Sequence, residues 1–161
     1  MSFGPIRCGI MDTILVQDVK GYNEINAAIL HEDATLEAVL AHLVRQPGLC
    51  GVFLIDPSEH IAGVITRSTL VRWARVCMQD LSDHVPVGDI FKMVSAAKAR
   101  DLAVGDGRTL GVRPTDPLSK VLHQITSYNV GAIPVVDDDG RVTGDITIGQ
   151  VLMKALEVRA H

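Results

Sequence analysis

Two stretches of this chain repeat one another, and a unit that occurs twice has to bury its apolar surface against its own copy. Cys50-Gly-Val-Phe-Leu-Ile-Asp56 aligns with Gly131-Ala-Ile-Pro-Val-Val-Asp137. Ile61-Ala-Gly-Val-Ile-Thr66 aligns with Val142-Thr-Gly-Asp-Ile-Thr147 at the same offset. Asp56, Gly63, Ile65 and Thr66 meet identical residues at Asp137, Gly144, Ile146 and Thr147. Upstream, Leu36, Val39, Leu40 and Leu43 align with Leu118, Val121, Leu122 and Ile125, and the first copy is one residue shorter in between.

Each copy has one coarse order. Apolar residues at helical spacing come first: Leu36, Val39, Leu40, Leu43 and Val44, then Leu118, Val121, Leu122 and Ile125. Asp33 and Asp116 stand where N-caps are wanted, and Pro117 suits the first helical position. Short apolar strands follow, at 52–55 and 133–136. A polar turn comes next in each copy, with Asp139-Gly140 as a hairpin signal. Second strands run to Thr66 and Thr147. Closing helices carry Leu70, Trp73, Ala74 and Cys77, then Val151, Leu152, Ala155 and Leu156. Leu81 to Pro86 reads as a connector, Val87 to Ala103 as a helix, Gly105-Asp-Gly107 as a turn and Leu110 to Pro114 as a short strand or extended lead-in. Val16-Gln-Asp-Val19 matches Val87-Gly-Asp-Ile90.

The expected fold is α/β of the α+β kind: two repeats, each a small three-stranded sheet with two helices, related by a pseudo-twofold axis. Residues 12–80 form the first repeat, 81–161 the second, and 1–11 a lead-in. One helix cannot cover such a sheet, so the copies pack together and place their strand-to-helix turns at the seam. Helix N-termini at such a seam suit anions.

Composition narrows the function classes. Lys plus Arg total 15 against 19 Asp plus Glu, a net charge of -4 that offers no field for nucleic acid. Aromatic residues are 4%, so Val, Ile, Leu and Ala must fill the core. The three cysteines, Cys8, Cys50 and Cys77, form no Cys-x-x-Cys pair, which suits a reducing, cytoplasmic setting. No apolar run approaches the roughly 20 residues of a membrane span, and the N-terminus lacks the layout of a signal peptide. The six histidines make no metal-ligand pattern, and no phosphate-loop, dinucleotide or nucleophile-elbow motif occurs, so no enzyme, metal or required cofactor is expected. The Asp137 to Gly140 run lacks the alternation of a calcium loop.

Asp116-Pro-Leu, Gly131-Ala-Ile-Pro-Val-Val-Asp and Gly144-Asp-Ile-Thr, in that order, resemble the cystathionine-beta-synthase (CBS) domain. The first copy departs at Phe53, where the family usually has Pro, but Gly63-Val-Ile-Thr66-Arg is close. Across about residues 12 to 158 the chain looks like a stand-alone CBS pair, a Bateman module. That resemblance implies a regulatory module that holds an adenosine compound, such as AMP, ADP, ATP or S-adenosylmethionine, in clefts between repeats. It also implies a homodimer and a regulated partner protein. The family's Gly-x-x-Thr/Ser-x-x-Asp motif places a hydroxyl and a helix N-terminus on phosphate and a carboxylate on the ribose hydroxyls. Here Thr69 and Gln150 replace that carboxylate, which favours the alternative of an assembly module without nucleotide.

The candidate ligand residues are Thr66 and Thr147 at the strand ends, with Arg67 and Arg72 as phosphate partners in the first copy. Thr69 and Gln150 stand at the ribose positions. Gly131, Ala132 and Pro134 let a flat base approach, with Cys50 and Gly51 as counterparts. Ile29, Leu30, His31, Val112 and Arg113 lie on the base-holding stretches. Each threonine also reads as a plain helix cap, and Cys50 reads as a small buried residue. Ile148 stands where the first copy has Arg67, so the clefts are not equivalent, and the one fed by Arg67 is expected to hold phosphate more strongly. The side of the strand that Asp145 faces is open at this point.

Overall fold

The computed structural model describes residues 9–77, 93 and 95–159. A short helix α1 (Ile10–Thr13) and a 3-10 turn (Val16–Asp18) lead into β1 (Ala28–His31), α2 (Leu36–Arg45), β2 (Val52–Ile55), β3 (Ile61–Ile65) and α3 (Arg67–Cys77). A second 3-10 turn (Ala99–Asp101) precedes α4 (Leu118–Tyr128), β4 (Ala132–Val136), β5 (Val142–Thr147) and α5 (Ile148–Arg159).

The repeat is visible atom by atom in the two hairpins. Val52 pairs with Ile65 and Leu54 with Gly63; Ile133 pairs with Ile146 and Val135 with Gly144. The register slips at the same place in each, between Leu54 and Ile55 and between Val135 and Val136. The turns match as well. Asp56 Oδ1 accepts from the amides of Ser58 and His60, and Asp137 Oδ1 from those of Asp139 and Arg141. Gly140 takes a left-handed φ of 81°, and Glu59 takes 67° at the same turn position. The two turns meet at the axis through the bridge His60 to Arg141.

Packing between copies is more than face against face, because the lead-ins are exchanged. Ile14, Val16 and Val19 sit in one core with Leu118, Val121 and Ile133 of the second copy, while Met93, Ala99 and Leu102 sit in the other with Leu36, Val39 and Leu54 of the first. Backbone bonds fix both crossings. Val16 N donates to Asp116 O and Leu118 N to Ile14 O; Leu36 N donates to Ala97 O and Ala99 N to Ala34 O. Along β2 the side chains alternate between the cores. Val52 and Leu54 face one, and fully buried Phe53 faces the seam.

Several sequence expectations are corrected. The second sheet has two strands plus a single parallel bridge, Val112 to Val135, where three strands are expected. Gly111 at φ 114° and the N–H-less Pro114 stop Leu110–Pro114 from extending into a ladder. The N-cap of α2 is Thr35, whose Oγ1 accepts from Ala38 N at 3.2 Å, whereas Asp33 is turned to Lys98 and Arg100. Pro117 is itself the extended N-cap of α4, and Asp116 accepts from Arg113 N and Lys120 Nζ. The expected helix to Ala103 is absent from 95–98, because Lys98 bridges Thr35 and the following backbone pairs with the first copy. The connector 81–86, the start of that helix and the segment 87–90 lie outside the described residues. Val44, Leu152 and Leu156 are exposed, and Cys50 is exposed where a buried thiol is expected.

Candidate functional site

Both hairpins end in a threonine that begins a helix, and the lead-in of the opposite copy lies over each. Glycine makes that crossing possible. A Cβ on Gly144 would fall 2.0 Å from Tyr22 O, and one on Gly63 would fall 2.9 Å from the Ala103 side chain. Val64 and Val104 then exchange backbone hydrogen bonds, and Asp145 N donates to Glu24 O on the other side.

At the second hairpin the crossing uses a side chain as well. Asp145 is fully buried. Its Oδ2 accepts from the amides of Asn26 at 2.7 Å and Ala27 at 2.8 Å, and Oδ1 accepts from Asn26 Nδ2 at 3.3 Å. Asp145 therefore faces the seam, a role that Val64 cannot fill in the first copy. Beside it lies a cavity of about 60 Å³. Asn26, Ala27 and the stretch Gly48 to Cys50 line it from the first copy, and Ala132, Asp145 and Thr147 from the second.

Thr147 and Gln150 form a reciprocal cap at the start of α5. Gln150 N donates to Thr147 Oγ1 at 3.2 Å, and Thr147 N donates to Gln150 Oε1 at 2.8 Å. The remaining Gln150 amide donates to Lys20 O at 3.1 Å, which ties the first lead-in down over the turn. At the first hairpin, buried Thr66 accepts from Thr69 N and lies within 2.9 Å of Ser68 Oγ and 3.0 Å of Thr69 Oγ1.

Arg67 is turned away from this threonine cluster. Its Nε donates to Leu49 O, and Nη2 contacts the carbonyls of Leu43, Gln46 and Pro47 at 2.8 to 3.2 Å. Leu43 lies in the last turn of α2 and Gln46, Pro47 and Leu49 follow it, so the guanidinium ties the loop to the end of that helix. Arg72 is exposed on α3. Of the sequence candidates, the structure brings Ala132, Thr147 and Cys50 to the cavity, with Gln150 one turn away. Gly131 lies beside them, its Cβ direction ending 3.1 Å from Cys50 Cβ across the axis. Ile29 and Leu30 pair with Phe53 and Leu54, Val112 pairs with Val135, and Pro134 O accepts from Val112 N; these residues frame the sheets and do not line the cavity. Asn26 and Ala27 carry no motif; they join the site through Asp145, 119 and 118 residues away.

The lowered carboxyls lie elsewhere. The amides of Lys98 and Ala97 hold Asp101 below the usual carboxylate range, and those of Arg108 and Thr109 do the same for Asp106. At Asp116 burial pulls the pKa up, but the Arg113 amide and Lys120 outweigh it, so the value is lowered. Among the described residues no group of three His, Cys, Asp or Glu could hold a metal. No helix of the described residues is long and apolar enough to cross a membrane. The cavity offers backbone edges, the Asn26 carboxamide, one hydroxyl, one thiol and a carboxylate already holding donors.

Comparison with known proteins agrees on the architecture. The CBS domain family model matches residues 19–76 and 99–157. A CBS domain-containing protein from Thermotoga maritima (TM0935) superposes with a TM-score of 0.70 at 18% identity, covering 89% of this chain and 95% of that one. CBSX2 in complex with AMP gives 0.62 at 21% identity, over 90% and 98%. The CBS domain pair of MJ0100, in complex with 5'-methylthioadenosine and S-adenosyl-L-methionine, gives 0.61 at 16%, over 90% and 98%. A curated relative, a homoserine O-acetyltransferase of Methanohalobium evestigatum, is 25% identical over 140 residues; the match takes in 78% of this chain and spans 29% of the length of that relative.

Proposed function

This chain belongs to the CBS domain family as a tandem pair, and on that footing we propose that it is a regulatory module sensing an adenosyl compound at the seam between its repeats. The observation that carries this reading is the shared cavity: a ligand there touches Asn26, Ala27 and Cys50 of one copy and Ala132 and Thr147 of the other. At about 60 Å³ the cavity is too small for a purine. Admitting a base therefore requires the 20–27 segment to lift from β5, breaking the bond of Gln150 to Lys20 O. A ligand that favours the lifted state shifts the population of inter-repeat arrangements, and a partner reads that shift. The solved CBS pairs named with AMP, 5'-methylthioadenosine or S-adenosyl-L-methionine support the adenosyl class. We assign the module no catalytic role, and we take residues 12–80 and 81–161 as its two repeats.

Calorimetry and thermal shift with AMP, ADP, ATP, S-adenosylmethionine and 5'-methylthioadenosine test the reading. A true ligand at a hundred times its Kd stabilises by about 2.7 kcal/mol. Cys50→Phe, which fills the mouth of the cavity from an exposed position, is expected to abolish the shift. No shift with any of the five, or an undiminished shift in Cys50→Phe, overturns it.

A second reading, assembly, is favoured by α5. Ile148, Leu152 and Leu156 are 44%, 52% and 48% exposed and fall on one helical face. Self-association through that stripe gives a homodimer, with or without a nucleotide, in a cytoplasmic setting.

A further inference from the structure

The second copy carries a groove beside α4. Helix α4 sets Lys120, His123 and Ser127 on one face, and the loop 108–111 lies across it. Two bonds from a buried residue hold the loop in place. Gln124, 4% exposed, accepts from Gly111 N at 2.8 Å and donates to Gly111 O at 2.9 Å. At the far end Tyr128 donates its hydroxyl proton to Thr109 Oγ1. The groove has a volume of about 350 Å³, within the range of small-ligand clefts.

Its charge runs against that of the chain. Arg108 and Lys120 line it, no carboxylate does, and the whole sequence is at -4. The nearest acids sit beside these cations and are already hydrogen-bonded. Asp106 accepts from the amides of Arg108 and Thr109, and Asp116 Oδ2 accepts one hydrogen bond from Lys120 Nζ at 3.0 Å, leaving the ammonium two further donors. At the matching places on α2 stand Ala38, Ala41 and Arg45, so the duplication does not account for the cluster.

We propose that this groove binds a small phosphorylated anion, its phosphate or diphosphate held between Arg108 and Lys120 with the Ser127 hydroxyl as a further donor. Loop 108–111, pinned through Gly111 and Thr109, carries Arg108 at the rim of the groove. The site lies apart from the seam cavity, with which it shares no lining residue.

The probe is inorganic pyrophosphate, titrated calorimetrically into the full chain at low and moderate salt. Saturable binding that weakens with salt is expected, with at least a tenfold loss in Arg108→Gln/Lys120→Gln. Both residues are exposed, so the variant should stay folded, with only the small loss in unfolding temperature expected from the Lys120–Asp116 pair. Cys50→Phe should leave pyrophosphate binding unchanged. The proposal is overturned if the wild type shows no saturable binding, if the double variant binds as tightly, or if Cys50→Phe abolishes binding, since the last places the anion at the seam.

Discussion

Replacing Asp145 by valine, the residue at the matching position of the first copy, tests how the two halves are joined. The carboxylate is fully buried and satisfies two backbone amides, Asn26 at 2.7 Å and Ala27 at 2.8 Å. Valine fits the strand but leaves both amides without an acceptor. A buried amide left unpaired costs about 1–3 kcal/mol, so two cost about 2–6, and a little is regained from apolar packing. A net loss of about 3 kcal/mol is about 6–12 °C in Tm for a chain this long. Asp145→Asn keeps one oxygen for the same amides and should lose only about 1 kcal/mol. Urea denaturation followed by far-UV circular dichroism reads both, with an unchanged m-value showing that the same surface is exposed. A loss under about 0.5 kcal/mol for Asp145→Val, or equal losses for the two variants, refutes the acceptor argument.

Other expectations follow from the same contacts. Arg67→Ala should destabilise by about 1–3 kcal/mol through the carbonyls it leaves at the end of α2, and Arg67→Lys should recover less than half, because lysine lacks the planar fork; thermal unfolding measures both. Asp101, Asp106 and Asp116 have folded pKa values below their unfolded ones, so their contribution is present above about pH 4 and lost as pH falls through the lowered values. A Tm that holds flat from neutral pH to 3 counts against this. Leu152→Glu with Leu156→Glu should turn a dimer into a monomer by analytical ultracentrifugation; a wild-type monomer at tens of micromolar sinks the α5 interface.

Much of the fold could be read directly from the residues, because a duplication writes the same local physics twice. The two hairpins and the threonines that begin α3 and α5 follow from aligned residues, whereas the shared slip after Leu54 and Val135 is seen only in the structure. The failures share a cause, which is partners distant in sequence. Asp33 has the chemistry of an N-cap, yet Lys98 and Arg100 claim it and Thr35 caps instead. Arg67 has the chemistry of a phosphate ligand, yet the carbonyls at the end of α2 and in the loop after it hold its guanidinium. The helix expected through 95–103 gives way because those amides and carbonyls pair with the first copy. The exchange of lead-ins has no periodic signature, and so Asn26 and Ala27 could be placed only once Asp145 was seen to hold them.

The most direct test of the central claim is a titration of the isotopically labelled chain with AMP, followed through its amide resonances. If the ligand sits in the seam, Asn26, Ala27 and Cys50 shift together with Ala132 and Thr147, and all five report one Kd. Shifts confined to a single repeat, or none at millimolar AMP, contradict it.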